Sequence, residues 1–90
     1  MLTIDKIKEY CGKQKYYHND PNVTWVPKAD ILIKMNYEID EYDGCEENLD
    51  IECLYLDMNP PTVILIIPDS IMGEEAELNL SKITIYKKIA

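Results

Sequence analysis

Ninety residues suffice for a single compact domain, 1–90, and leave too little chain for a second hydrophobic core. Apolar residues make up 47% of the chain, too many for a disordered segment, and the longest aliphatic run, Val63 to Ile67, falls far short of the roughly 20 residues that span a bilayer. Arginine is absent, and the nine lysines are placed so that residues 35 to 81 carry 13 acidic groups and no basic one, within a net charge of −8. Such a balance repels nucleic acid and anionic membranes and attracts basic protein surfaces. Arginine supplies the commonest specific base contact, so its absence points the same way. Direct nucleic-acid and membrane partners are therefore not expected.

In chain order, Thr3 is placed to cap a short helix that carries Ile4, Ile7 and Cys11 on one face, with Gly12 as its stop. Asp5 and Glu9 interrupt this segment, so it lacks the apolar core of a secretory signal, and cytoplasm is the expected compartment. Lys13 to Asp20 reads as loop, and Val23 to Val26 as a short strand ended by Pro27. From Ile31 to Ile39 apolar and polar residues alternate, the mark of a half-buried strand. Leu49, Ile51, Cys53 and Tyr55 continue the alternation on a second strand, and Asp43-Gly44 marks the hairpin turn between them.

Parity constrains that hairpin. A two-residue turn at Asp43-Gly44 sets Tyr37 against Asp50 and mixes apolar with charged residues on one face. A three-residue loop, Tyr42-Asp43-Gly44 with Gly44 left-handed, sets Tyr37 against Leu49, Met35 against Ile51 and Lys34 against Glu52. The second register is the expected one. Asn59-Pro60-Pro61 then breaks the chain, and Val63 to Ile67 reads as a strand covered on both faces. Pro68 to Glu77 reads as loop with one helical turn at Gly73 to Ala76, and Leu78 to Lys88 as a last strand. The expected fold is α+β: a mostly antiparallel sheet of four to five strands with one short N-terminal helix packed on it.

The acidic segment around the turn invites a calcium reading, which fails. With Gly44 at the sixth position of an EF-hand loop, Ile39 occupies the first position, where a carboxylate is required. The remaining reading is a partner-binding prong made of Glu38, Asp40, Glu41, Asp43, Glu46, Glu47, Asp50 and Glu52. Same-face carboxylates on one strand stand about 7 Å apart and on adjacent strands about 5 Å apart, of the order of the charge spacing along a nucleic-acid backbone. The bland counterpart is a solvated hairpin tip that keeps the protein soluble and guards it against edge pairing.

No catalytic constellation stands out. None of Cys11, Cys45 and Cys53 has an activating neighbour, their odd number and unrelated spacing fit neither a disulfide framework nor a zinc site, and His18 reads as a loop residue. No cofactor, metal site or catalytic residue is expected. Lys13, Lys15, Tyr16 and Tyr17 form a basic-aromatic cluster beside His18, while Trp25 reads as core.

The leading expectation is a non-enzymatic inhibitor or adaptor that occupies a basic, nucleic-acid-binding surface of a target protein through the acidic hairpin. Short acidic chains without arginine are common among virus-encoded anti-defence proteins, an association that no residue motif carries. Two alternatives stand beside it. One is a small-ligand binding or sequestering protein using Tyr16, Tyr17 and His18; the other is a structural subunit that assembles through strand edges as a homo-oligomer.

Overall fold

The computed structural model describes residues 1–14, 23–38 and 45–89. Thr3 opens the helix as its sequence suggests: its Oγ1 accepts the Lys6 backbone N–H at 3.1 Å at the start of α1 (Ile4–Glu9). Ile7 faces the core with no exposed surface, and Cys11 follows at 6%. Gly12 is not the helix stop. The Tyr10 N–H turns back to the Ile7 and Lys8 carbonyls, which ends the helix and frees the next residues to pair. Gly12, Lys13 and Gln14 therefore belong to β1 (Cys11–Gln14), antiparallel to β2 (Thr24–Pro27), with Lys13 opposite Trp25.

The alternating segment forms β3 (Ile31–Glu38), and its partner is the longer β4 (Glu46–Tyr55). Their register differs from the expected one by two residues. Lys34 pairs with Asp50, Met35 with Leu49 and Tyr37 with Glu47, and Glu38 stands opposite Glu46 at the end of the described ladder. A slip of two keeps every side chain on its expected face, so parity alone does not separate the two registers. The observed one sets Met35 and Leu49, at 2% and 4% exposure, against each other. It also closes a Lys34–Asp50 ion pair at 2.9 Å, where Glu52 was the expected partner. The turn at Tyr42-Asp43-Gly44 lies outside the described residues.

The burial alternation along β4 holds through Cys53, at 8% exposure, and breaks after it. Ile51 pairs with Leu65 but Cys53 pairs with Ile64, so β4 carries one extra residue, Glu52, at a bulge. The bulge flips the inward parity: Leu54 and Leu56 enter the core at 0% and 3%, while Tyr55, expected inside, is half-buried. Each full burial of a leucine stabilises by about 1.5–3 kcal/mol, which offsets the ladder irregularity.

β4 is the hinge of the sheet. Leu54 pairs with Trp25 of β2 on one side and with Val63 of β5 (Thr62–Leu65) on the other. Its first half instead carries β3, whose far edge pairs with β7 (Ile83–Lys87), Ile33 opposite Ile85. The segment 74–77, expected as loop, is strand β6 (Glu74–Glu77) on the outer edge of β5, with Ala76 opposite Val63. A short 3-10 turn, Leu80–Lys82, capped by Asn79, leads into β7. Seven antiparallel strands and one short α-helix are thus present among the described residues, so the α+β class holds and the expected four to five strands fall short.

Ile7, Ile33, Met35, Ile51, Leu54, Val63 and Leu65 come from four elements and form one core, flanked by Ile83 and Ile85. The strand expected to be covered on both faces ends at Leu65, and Ile66 is 47% exposed. No helix among the described residues is long and apolar enough to cross a membrane.

Candidate functional site

The hairpin formed by β3 and β4 presents Lys34, Asn36 and Glu38 alongside Asp50, Asn48 and Glu46 on its outer face, because paired residues of an antiparallel ladder share a face. This face is not a bare row of carboxylates. Lys34 binds Asp50, and the Lys82 ammonium reaches across from the 3-10 turn to Glu46. Asn48 Nδ2 approaches the Tyr86 hydroxyl at 3.5 Å. Half-exposed pairs of this kind contribute about 0–1 kcal/mol each, but they neutralise charge where the sequence suggested an uninterrupted acidic array.

Of the eight hairpin carboxylates, Asp40, Glu41 and Asp43 lie outside the described residues, as do Tyr16, Tyr17 and His18 of the alternative ligand site. Glu46 and Asp50 hold lysines. Glu52 is exposed at the bulge, apart from the hairpin end. Glu38 and Glu47 are exposed at the hairpin end on opposite faces, with no ion pair to either among the described residues.

The fold brings further acids to that end. Tyr37, opposite Glu47, donates its hydroxyl to Glu74 Oε1 at 3.3 Å, tying the end of β3 to the start of β6. Burial, then the charge and hydrogen bond of Glu74, push the Tyr37 phenol above its usual range. Glu77, at the other end of β6, lines a cleft of about 290 Å³ together with Tyr37, Glu38, Glu46, Asn79 and Lys82. Glu47 and Glu74 therefore stand beside Tyr37, Glu38 and Glu77 line the cleft, and the one lysine lining it among the described residues is bound to Glu46. Sequence reasoning passed over Glu74, Glu75 and Glu77 because their segment reads as loop. The signal that marks them is the same lysine-free run that drew attention to the hairpin.

A second polar cluster lies elsewhere. Asp57, just after β4, accepts from Lys8 Nζ at 2.6 Å and from Trp25 Nε1 at 3.0 Å. Lys8 and Lys13 stand 5.1 and 5.7 Å from the Trp25 ring centroid. The Lys8 and Trp25 hydrogen bonds hold the Asp57 carboxyl below its usual range. This cluster clasps α1 to β2. Lys13, read from sequence as part of a cluster with Lys15, Tyr16 and Tyr17, stands over Trp25, itself half-buried against the core.

The buried thiols are held protonated. Burial pushes Cys11 up to about 11, and it raises Cys53 as well, where the Glu52 charge adds to the effect. No three potential metal ligands come together among the described residues. Comparison of the chain with family models, curated proteins and solved structures returns no significant match.

Proposed function

We propose that this protein is a non-enzymatic binding module whose acidic end seats on a basic surface of a target protein, as an inhibitor or adaptor. The observation that carries the reading is the Tyr37–Glu74 hydrogen bond, which joins an edge strand to the hairpin end and concentrates Glu38, Glu47, Glu74 and Glu77 there. Like charges at one end cost stability through mutual repulsion, a cost that a partner's cations would relieve. A protein surface built for nucleic acid supplies such cations. On this reading the binding residues are Glu38, Glu47, Glu74 and Glu77. Glu46 acts indirectly by holding Lys82, and Asp50 is spent on Lys34.

The test compares two variants of equal charge. Glu38→Gln with Glu47→Gln alters the proposed surface, while Asp5→Asn with Asp30→Asn removes the same charge from α1 and the turn before β3. Binding to polylysine, followed over a salt series, should weaken about tenfold more for the first pair and show a flatter salt dependence. Equal weakening by both pairs would mean that bulk charge alone attracts cations, and the acidic end would then have no special role.

A further inference from the structure

The loop joining β5 to β6 sets apolar side chains in water. Ile71 and Met72 are 104% and 74% exposed. The loop that carries them is held in a defined shape. Asp69 takes a left-handed backbone, φ 65, which a non-glycine residue adopts at a cost in strain. The Ser70 hydroxyl accepts the Met72 N–H at 3.2 Å and donates to the Met72 carbonyl at 3.1 Å, clasping that residue's backbone. Gly73 lies so close to β5 that a Cβ there would stand 2.6 Å from Ile64 Cγ2 and 3.2 Å from the Leu65 carbonyl oxygen. Strain, clasp and close approach together hold two large apolar side chains outward, outside the core that the described residues form.

We propose that Ile71 and Met72 are the apolar anchor of the interface, seating in an apolar socket of the partner protein that is rimmed by lysine or arginine. This rests on the reading of the neighbouring carboxylates as a binding surface. Charge selects the occupant. Glu52 lines a notch of about 80 Å³ with Ile66, Ile71 and Met72. Asp69 precedes the anchor, Glu74 and Glu75 follow it, and no lysine lies between residues 35 and 81. A second copy meeting this face across a two-fold axis would set those carboxylates against their own counterparts, which disfavours self-association. An anionic membrane is repelled for the same reason. A cationic protein surface satisfies both the rim and the centre, the arrangement in which a central apolar residue contributes most to binding. Methionine, flexible and polarisable, adapts to such a socket.

The test uses two helical peptides of equal positive charge, one with leucines along the face opposite its lysines and one with serines in their place. Binding is measured for the wild type and for the Ile71→Ser, Met72→Ser variant, whose melting temperature should match the wild type because both positions are exposed. The wild type should bind the leucine peptide about tenfold more tightly than the serine peptide, and the variant should lose that preference while keeping its affinity for the serine peptide. A variant that retains the preference places the anchor elsewhere and overturns the proposal. So does a wild type that binds both peptides alike; in that case the acidic surface still stands on its salt dependence. If neither peptide binds the wild type, the acidic surface itself fails and the anchor with it. A wild-type dimer that the variant cannot form identifies a second copy as the occupant and also refutes the proposal.

Discussion

Replacing Leu54 by alanine decides whether β4 is bulged at Glu52. Simple alternation from Leu49 through Tyr55 places Leu54 on the outer face, where its truncation would cost about 0.5 kcal/mol or less. The bulge instead sends Leu54 to the centre of the core, with no exposed surface, between β2 and β5. Truncation there removes buried apolar area and leaves a cavity that paired strands on both edges prevent from collapsing. The cost should be about 3–4 kcal/mol, in the upper part of the range for buried leucines. A domain of this length has a total stability of about 5–13 kcal/mol, so the change removes a quarter or more of it. Urea unfolding followed by circular dichroism should show a lowered midpoint with an unchanged slope. Leu32→Ala, at a half-buried position of β3, serves as the comparison and should cost about 1 kcal/mol. A Leu54 variant that loses less than about 1 kcal/mol at unchanged slope would refute the bulged register and the core assignment built on it.

Tyr37 sets an alkaline limit, through its burial first and the charge and hydrogen bond of Glu74 after it. Because the folded phenol titrates above its usual value, its stabilising contribution is complete below about pH 10 and is lost as pH rises through the raised value. Glu74→Gln should bring the Tyr37 titration back towards pH 10, as followed by NMR of ring-labelled tyrosine; an unchanged titration would show that Glu74 does not act on it. The Asp57 clasp behaves oppositely. With its folded value depressed, its contribution is present above about pH 4 and lost as pH falls through the lower value, so Asp57→Asn should flatten the acid limb of a thermal-stability profile. Gly73→Ala should cost about 1–3 kcal/mol in urea unfolding, since the added methyl meets a stiff isoleucine and a ladder carbonyl; a neutral result would mean that the loop can shift freely.

Much of the fold was legible where local rules and tertiary packing agree. Thr3, Ile4 and Ile7 specify the capped helix, and the alternation from Ile31 specifies β3. Elsewhere the rules are silent or contradict each other. Glu74-Glu75-Ala76-Glu77 has poor strand propensity, yet it pairs because the apolar strand β5 needs a partner on its outer edge and Ala76 packs opposite Val63. Gly12 resembles a helix stop, but the helix has already closed at Tyr10. The adjacent apolar residues Cys53 and Leu54, followed by Leu56, are the trace that the bulge leaves in the sequence. Alternation counted from Leu49 obscures it. The hairpin slip of two is invisible to parity, and only the ladder itself, with Lys34 against Asp50 and Met35 against Leu49, reveals it.

The candidate surface was half legible for a related reason. A charge census finds the carboxylates but not the cations that fold back onto them. Lys82, 36 residues from Glu46 in sequence, neutralises one hairpin acid, and Lys34 neutralises another. What remains unpaired has a direction. In the order β1, β2, β4, β5, β6, the two outermost strands differ in charge: β1 carries Lys13, over Trp25, and β6 carries Glu74, Glu75 and Glu77. The sheet is therefore dipolar across its width, and a dipolar molecule is turned by the field of a charged partner before contact. On the proposed reading this divides the labour between two sets of residues. Glu38, Glu47 and the β6 acids remain hydrated and act mainly on the rate and salt dependence of association. Ile71 and Met72 lose water only on seating, so their substitution acts mainly on the rate of dissociation. Kinetics at several salt concentrations separate the two: acid variants should shift the association rate and its slope, and the loop variant the residence time. If the loop variant slowed association instead, with residence unchanged, Ile71 and Met72 would belong to the encounter rather than to the seated complex.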